Sequence, residues 1–299
     1  MPLTHYPLHF TKIVMFKTAK SLITSRAVLI TGCSSGIGYS VAHGLKTRGY
    51  SVFATARKPE DVARLQKEGL DNSLVLDLTD SQSICNAVQT ILERTDGRLY
   101  GLFNNAAYGQ MGAVEDLSHE ALRQQFETNF FGTHELTCQV LPVMRQQSEG
   151  RIIQNSSFLG IVALPYRGAY NASKFALEGL TDTLRLELVG TGIFVSLIEP
   201  GPITSRFRAN AYTMFKQHID VEHSHHQQAY AKMEQRLLTK GAAMPFTLPP
   251  EAVLKRVIHA LESKRPQPRY YVTFPAYLLI TLKRLLPHRT MDWAVRRLF

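Results

Sequence analysis

The sequence has few cysteines and no long apolar run. Its 299 residues contain only Cys33, Cys85 and Cys138, and no two of them have the C-x-x-C spacing. This odd, scattered set argues against a disulfide framework and against structural zinc, and it favours a reducing compartment, the cytoplasm. The apolar runs are far shorter than the ~18 residues that a membrane-spanning helix needs. The N-terminus has no apolar block, so a signal peptide is not expected.

Acidic residues are scarce at the two ends of the chain. The net charge is +10, and the lysines and arginines that cause it concentrate in residues 1–26 and 255–299. No nucleic-acid-binding motif accompanies these charges, so a nucleic-acid partner is not expected. We interpret residues 1–25 as an irregular basic leader and residues 275–299 as two short amphipathic helices with basic flanks.

Basic ends of this kind are typical of weak contact with an anionic membrane surface. If the basic ends contact a membrane in this way, the protein should bind to anionic vesicles and not to neutral ones. A C-terminal helix that closes a substrate pocket or a subunit interface explains the same pattern equally well.

Short β-branched strands alternate with longer helical patterns along the chain. The predicted strands cover residues 27–30, 52–55, 74–76, 99–103, 152–153, 193–198 and 270–272. Strands separated by helices predict an α/β fold, with one doubly wound parallel sheet of seven strands and helices on both faces. Residues 203–249 break the alternation and end in a Pro-rich stretch, so we expect a long irregular insert that acts as a substrate lid.

A glycine-rich turn follows the first strand and opens a helix. It reads Thr31-Gly32-Cys33-Ser34-Ser35-Gly36-Ile37-Gly38, with the spacing G-x-x-x-G-x-G. Glycines let the backbone approach a pyrophosphate, and the helix N-terminus stabilises its charge. The strand–turn–helix context predicts a dinucleotide site at Gly32, Ser34, Ser35, Gly36, Ile37 and Gly38.

The end of the second strand indicates which dinucleotide binds. Sites for NAD place an acidic residue there, whereas NADP sites accommodate the 2′-phosphate with arginine. The sequence has Arg57 and Lys58 at this position and no carboxylate before Glu60. Because a guanidinium can bind a phosphate in a bidentate manner, Arg57 favours NADP(H).

Tyr170 and Lys174 lie four residues apart in a segment with a helical pattern, so their side chains share one helix face. A free tyrosine titrates near pKa ~10. A nearby cation favours the phenolate and lowers this pKa toward the range of acid–base catalysis. The spacing is common in helices, so the pair indicates catalysis only together with the residues around it.

Taken together, these signals resemble the short-chain dehydrogenase/reductase family over nearly all of residues 26–299. The matching positions are the turn at Thr31 to Gly38, Asp77, Asn104-Asn105-Ala106, Asn129, Ser157, Tyr170 with Lys174, and Pro200-Gly201. The local text looks especially like an enterobacterial NADP-dependent aldehyde reductase, and it is also similar to the retinol and hydroxysteroid dehydrogenases. Two positions depart from the family pattern, since Ala107 replaces a glycine and Ser205 replaces a threonine.

The resemblance implies a single Rossmann-fold domain of three layers over residues 26–299, and an oxidoreductase that reduces aldehydes or ketones reversibly with NADP(H). It implies that Tyr170 exchanges a proton with the carbonyl oxygen and that Ser157 hydrogen-bonds this oxygen. Lys174 would hold the nicotinamide ribose and lower the tyrosine pKa, and Asn129 would support a water chain to Lys174.

Further cofactor contacts are implied for Asp77, Asn104, Ala106, Pro200, Gly201, Ile203 and Ser205, together with Tyr170 and Lys174. A turn or helix-capping role explains Asp77 nearly as well. The resemblance also implies a homodimer formed through the helices that lead to Asn129 and Tyr170.

Two other functions stay open: a dehydrogenase of bulky steroid or retinol alcohols, and a nucleotide-binding sensor without turnover. The presence of both Tyr170 and Lys174 argues against the sensor.

The predicted lid contains histidines and large apolar residues. The histidines, His218, His223, His225 and His226, have no fixed ligand spacing, so we predict a solvated loop and no metal. The apolar residues Tyr212, Met214 and Phe215, with the nearby Tyr166, favour an apolar carbonyl or alcohol substrate, although core packing explains any one of them.

Overall fold

A parallel sheet of seven strands runs through the computed structural model, which describes residues 26–239, 241 and 244–298. The predicted leader, residues 1–25, lies outside the described residues. The strands are β1 (Ala27–Ile30), β2 (Ser51–Ala56), β3 (Leu74–Val75), β4 (Gly101–Asn104), β5 (Gly150–Asn155), β6 (Ile193–Pro200) and β7 (Arg269–Val272). Their order is β3-β2-β1-β4-β5-β6-β7, which confirms the predicted doubly wound sheet.

Helices cover both faces of this sheet. They are α1 (Gly36–Thr47), α2 (Pro59–Lys67), α3 (Ser81–Arg94), α4 (His119–Phe126), α5 (Gly132–Gln147), α6 (Gly168–Glu187), α7 (Phe207–His218), α8 (Gln227–Leu238), α9 (Glu251–Glu262), α10 (Phe274–Leu285) and α11 (His288–Leu298). Apolar residues of α1, α2 and α9 form the core on one face of the sheet, and those of α3 and α5 form the core on the other. In the described residues, no helix is both long and apolar enough to cross a membrane.

The strand order reverses between β1 and its neighbours β2 and β4. At this reversal the loops after β1 and β4 diverge to opposite sides, which leaves a crevice at the carboxyl edge of the sheet. Every residue of β1 is buried, as expected for a central parallel strand with helices on both sides. The crevice is therefore held open by a rigid, fully buried frame.

The lid segment, residues 203–249, is not the irregular insert that the sequence predicts. It contains α7 and α8, and Ile203 and Leu248 form a β-bridge at its base. Apolar residues at helical spacing on α7 and α8, among them Ala211, Phe215 and Tyr230, pack into a small core of their own. This 3.6-residue periodicity was present in the sequence, and it outweighs the polar composition that favours a loop.

The C-terminal segment folds back onto the domain as α10 and α11. Their buried residues, among them Ile280 and Met291, pack against Leu159 and Tyr170. No described residue of α10 or α11 lines the cavity at the carboxyl edge of the sheet, so these helices support the site from behind, and closure of a substrate pocket by this segment stays a prediction. Tyr277, Trp293 and other large side chains of these helices remain exposed. Contact of this surface with an anionic membrane stays a prediction.

One ionic cluster joins α6 to the end of the sheet. Arg269 of β7 lies 3.0 Å from Glu178, 2.8 Å from Asp182 and 3.1 Å from Glu199. Glu199 is fully buried next to Pro200, and burial, together with the charge of Glu178, raises the pKa of Glu199 to about 8. The cluster fixes α6 relative to β6, so Arg269 compensates carboxylates that would otherwise be strongly destabilising.

We expect Arg269→Met to lower the free energy of unfolding by about 3–5 kcal/mol, because it leaves buried carboxylates without a counter-charge. Urea unfolding followed by circular dichroism measures this change. The matched control is Arg185→Met, which removes a more exposed guanidinium that lies 3.1 Å from Asp182. The control should cost no more than about 1 kcal/mol. Equal losses in the two variants would contradict a special role for Arg269.

Candidate active site

A cavity of about 910 Å³ occupies the carboxyl edge of the sheet. The loops after β1 to β6 line it from one side, and α7 and α8 of the lid segment line it from the other. A space of this size suits a dinucleotide together with a small substrate.

The glycine turn forms one wall of the cavity. Gly32 and Gly36 both have positive φ angles, of 70° and 61°. A Cβ atom on Gly32 would lie 2.8 Å from the Cα of Ala106, and one on Gly36 would lie 2.9 Å from the Cβ of Ser205. Larger residues would therefore displace the loops on either side of the turn. The tight turn brings the start of α1 to the cavity wall.

The start of α1 is suited to an anion. Ser34, Ser35, Gly36 and Ile37 line the cavity, and the Ser35 side chain does not cap the helix. The first N–H groups of α1 are therefore left for another acceptor, which a pyrophosphate provides. Gly38 does not line the cavity. A Cβ atom at this position would collide with the Gly32 carbonyl oxygen, so only glycine fits there. Its role is close packing of the turn.

Basic side chains lie at the rim beyond this turn. Arg57 and Lys58 follow β2 and line the cavity, and Arg57 is exposed. Asp77 lines the same region and also accepts hydrogen bonds from the backbone N and the Oγ1 of Thr79, at 3.0 and 2.9 Å. Asp77 thus has the turn role that the sequence left open and still faces the site.

At the end of β4, the structure places Asn105 at the cavity and not Asn104, which the sequence resemblance implies as a cofactor contact. The side chain of Asn104 is buried and donates to Thr137 Oγ1 at 2.9 Å, on the side of α5. Because side chains alternate along a strand, the next residue, Asn105, lines the cavity instead. Its amide donates to the carbonyl oxygens of Thr31 and Gly32 at 2.9 and 3.1 Å. Asn105 therefore joins the glycine turn to β4.

The remaining predicted cofactor positions lie at the cavity as expected. Ala106 lines the cavity beside Asn105. The loop after β6 also contributes, with Pro200, Gly201, Ile203 and Ser205.

Tyr170, Lys174 and Ser157 meet at the centre of the cavity wall. All three are buried, and all three line it. Lys174 Nζ lies 5.8 Å from the centre of the Tyr170 ring and donates to the Asn155 carbonyl oxygen at 2.7 Å. Ser157 Oγ accepts from the backbone N of Leu159 at 3.1 Å. Phe207 of α7 covers the tyrosine with an edge-on ring contact at 5.4 Å.

Asn129 lies behind this group and does not line the cavity. It belongs to a π-helical turn, Glu127–Phe131, between α4 and α5. Its Nδ2 donates to the Tyr108 carbonyl oxygen at 3.0 Å and to Ser173 Oγ at 3.2 Å, and its Oδ1 accepts from the Tyr108 N–H at 3.2 Å. These contacts explain an asparagine inside a helical segment. The contacts of Asn129 reach Ser173, the residue before Lys174, so the predicted water chain from Asn129 to Lys174 stays a proposal.

The electrostatics of the pair differ from expectation. Burial raises the pKa of Tyr170 to about 12, and interactions with the Ser157 hydroxyl and the Arg167 charge oppose that rise. Burial likewise lowers the pKa of Lys174 to about 8. The charge of Arg167 thus joins that of Lys174, whose ammonium donates to the Asn155 carbonyl oxygen and lies 5.8 Å from the centre of the Tyr170 ring.

Arg167 is the functional candidate that the sequence reasoning missed. It precedes α6, lines the cavity and is half-buried. A basic residue three positions before Tyr170 was visible in the sequence. Only the fold shows that it faces the cavity and not the bulk solvent.

The lid segment contributes a different apolar set from the predicted one. Of Tyr212, Met214, Phe215 and Tyr166, only Met214 lines the cavity. Phe215 is fully buried in the lid core, and Tyr166 packs its ring against Tyr230. The apolar residues that do line this end are Met111, Leu159, Leu164, Phe207, Met214, Met233 and Leu237.

Three of the lid histidines, His223, His225 and His226, lie in the loop between α7 and α8, where His223 and His225 are exposed, and His218 ends α7. His218 contacts Gln110 at 2.8 Å, His223 contacts Asp220 at 2.7 Å, and His226 contacts Glu115 at 2.6 Å. Within the described ranges, no group of three or more His, Cys, Asp or Glu side chains could hold a metal ion.

Comparisons with known proteins agree with this geometry. The family model described as short chain dehydrogenase matches residues 26–215. The chain is 44% identical to the uncharacterized oxidoreductase YbbO of Escherichia coli K12 over 270 residues, which cover 90% of this chain and 94% of YbbO. It is 33% identical to human retinol dehydrogenase 8, over 86% of this chain and 85% of that protein.

A solved structure is also similar. It is a variant of the actinorhodin polyketide ketoreductase with NADPH, with a TM-score of 0.68 and 27% identity, over 83% of this chain and 95% of that one. The family match, the sheet order and the Ser157–Tyr170–Lys174 geometry lead to one conclusion. The chain belongs to the short-chain dehydrogenase/reductase family of oxidoreductases.

Proposed function

We propose that the protein is an NADP(H)-dependent reductase of aldehydes or ketones that works reversibly on apolar substrates. The observation that carries this proposal is the meeting of Tyr170, Lys174 and Ser157 in one cavity with the free start of α1. The first three supply proton transfer and stabilisation of an oxyanion, and the helix start supplies an anion site for the cofactor phosphates.

The residues of the site divide the work of carbonyl reduction. NADPH, when bound, supplies the hydride. Ser157 donates a hydrogen bond to the carbonyl oxygen, on which negative charge develops, and Tyr170 delivers its proton to the same oxygen. Because burial raises the pKa of Tyr170 to about 12, this phenol stays protonated at neutral pH and is ready to act as the acid.

The charge of Lys174 lies beside the ring of Tyr170 and favours the phenolate that proton transfer leaves behind. Asn129 holds the backbone of Tyr108 and the side chain of Ser173, so it positions α6 and the loop after β4. In the oxidation direction the same groups act in reverse, with Tyr170 as the base.

The preference for NADP(H) is supported by the rim beside the glycine turn. Arg57 and Lys58 line the cavity at the end of β2, where an NAD site has an acidic residue. The nearest carboxylate along the chain, Glu60, lies 3.8 Å from Lys58 Nζ, so Arg57 remains available for a 2′-phosphate. The similar ketoreductase structure contains NADPH.

A second candidate function is a dehydrogenase of retinol or steroid alcohols. The similarity to retinol dehydrogenase 8 and the apolar residues at the lid end of the cavity favour it. It uses the same catalytic group and differs only in substrate. A sensor without turnover is less favoured, because the complete catalytic group is present at the cavity.

We further propose that the protein works in the cytoplasm as a homodimer. Phe131 of the π-helical turn and Phe175 of α6 are large, apolar and 48% and 43% exposed. They lie on the helices that lead to Asn129 and Tyr170, where the sequence resemblance implies a dimer. Burial of such a surface against a second copy would remove it from water.

Tyr170→Phe tests the proposed acid. Loss of a positioned proton donor should lower kcat/KM for NADPH-dependent carbonyl reduction by about 10²- to 10⁴-fold. The assay is NADPH consumption with a panel of aldehydes and ketones. Tyr166→Phe is the matched control, since that tyrosine does not line the cavity, and its activity should stay near wild type. Activity of Tyr170→Phe within tenfold of wild type would show that the mechanism is wrong.

Arg57→Ala tests the cofactor preference without an activity assay. We expect the dissociation constant of NADPH to rise about 10- to 100-fold, since a charge-assisted phosphate contact is lost, while that of NADH changes little. Fluorescence of the reduced nicotinamide measures both constants. Lys67→Ala, which removes an exposed charge of α2 outside the cavity, is the control. An equal rise for NADPH and NADH would contradict 2′-phosphate recognition by Arg57.

Lys174 gives the reaction a predicted pH dependence. Its pKa is lowered to about 8, so its ammonium is present below that pH and is lost above it. We therefore expect kcat/KM for reduction to be constant near neutral pH and to fall as pH rises through about 8. In Lys174→Arg, whose guanidinium keeps its proton, the rate should be lower but this fall should disappear. A fall at the same pH in the variant would assign the titration to another group.

A further inference from the structure

Four arginines line the lid end of the cavity: Arg167, Arg206, Arg208 and Arg236. The carboxylates that line the cavity, Asp77 and Glu127, form no ion pair with any of them within the described residues. The end of the cavity nearest Tyr170 therefore has an excess of positive charge.

Two of these arginines have evident structural or surface roles. Arg208 donates to the carbonyl oxygen of Thr239 at 2.9 Å and to that of Arg236 at 3.4 Å, so it caps the C-terminal end of α8. Arg206 is exposed at the start of α7.

Arg167 and Arg236 remain without such an explanation. Both are half-buried, and neither has a carboxylate partner in the part of the chain that the structure describes. Arg167 donates to the Pro165 carbonyl oxygen at 3.3 Å. Both side chains line the same end of one cavity, and burial together with the charge of Arg236 lowers the pKa of Arg167 to about 10.

The backbone holds Arg167 in this unfavourable place. The preceding residue, Tyr166, has a φ of 59°, in the left-handed region that a bulky residue rarely adopts. Its carbonyl oxygen accepts from the Gly112 N–H at 3.0 Å, and its ring packs against His226 and Tyr230. A strained turn that supports an unpaired, half-buried cation is typical of a functional site.

The surroundings of the two arginines are apolar. Leu159, Leu164, Met214, Met233 and Leu237 line the same end of the cavity. A ligand that fits this end of the cavity therefore combines an anionic group with an apolar part, because a small hydrated ion would leave the apolar lining without a contact.

We propose that Arg167 and Arg236 form a binding site for an anionic oxygen group of the substrate. The proposal rests on the proposed reductase function and makes it more specific, since the substrate becomes a carbonyl compound with both an apolar part and a carboxylate, sulfonate or phosphate. Guanidinium groups bind such oxyanions with paired hydrogen bonds, and an anion between the two arginines removes their mutual repulsion.

The first experiment measures binding without turnover. Isothermal titration calorimetry compares decanoate with methyl decanoate on the NADPH-saturated protein, using wild type, Arg236→Gln, Arg236→Lys and Lys232→Gln. Lys232 is an exposed residue of α8 outside the cavity, so its variant removes the same charge from the same helix. We expect decanoate to bind at least about tenfold more tightly than the ester in wild type and Lys232→Gln.

This preference should be lost in Arg236→Gln and partly restored in Arg236→Lys. Titrations with decyl phosphate and decyl sulfonate show which oxyanion binds most tightly. Equal binding of acid and ester in wild type would overturn the proposal. So would displacement by added NADPH of decanoate that is bound to the protein without cofactor, because the arginines would then serve the cofactor phosphates.

The second experiment measures turnover of 4-oxodecanoate and its methyl ester. The ratio of their kcat/KM values should favour the acid in wild type and Lys232→Gln, and it should fall about tenfold in Arg236→Gln. Reduction of the ester in preference to the acid would refute the anion site and leave the reductase function standing. Decanoate binding that depends on Arg236, without reduction of any carbonyl compound, would refute the reductase function and leave the anion site standing.

Discussion

The active site depends on the fixed position of α6 against the carboxyl ends of β5 and β6. Lys174 reaches the backbone carbonyl of Asn155, the last residue of β5, and Glu178 one turn later meets Arg269 of β7. Tyr170 lies one turn before Lys174 on the same helix face. The proposed proton donor, Tyr170, is therefore oriented by contacts of its own helix, and the buried strands supply the rigid support that such precision needs.

Burial makes this arrangement both costly and reactive. It raises the pKa of Tyr170 and lowers that of Lys174, so burial shifts each group toward its neutral form, while Lys174 keeps its charge below about pH 8. A proton donor with a high pKa keeps its proton until charge develops on a neighbouring oxygen. The ionic cluster around Arg269 also has a desolvation cost, because it holds carboxylates away from water. In return, it fixes the position of α6. Stability and reactivity thus depend on the same helix.

Local pattern in the sequence was enough to predict the sheet, the glycine turn and three residues that the fold brings to one cavity, Ser157, Tyr170 and Lys174. Continuous apolar strands, glycines with a required conformation, and the i, i+4 pair Tyr170 and Lys174 all act over short distances along the chain. The errors concern side-chain direction and long-range contact. The sequence did not show that Asn104 turns toward α5 and that Asn105 turns toward the cavity. Nor could it show that Arg236 of the lid lines the same cavity as Arg167, which is 69 positions away.

The arginine pair also connects substrate binding to proton transfer. Arg167 acts on Tyr170 as well as on Arg236, and its charge opposes the rise in the tyrosine pKa. An anionic substrate group bound to the pair would neutralise part of that charge at Tyr170. The phenol would then hold its proton more tightly, which makes it a weaker acid and its phenolate a stronger base. Since α8 carries Arg236, the lid segment takes part in this effect, and substrate binding at the lid is coupled to the protonation of Tyr170.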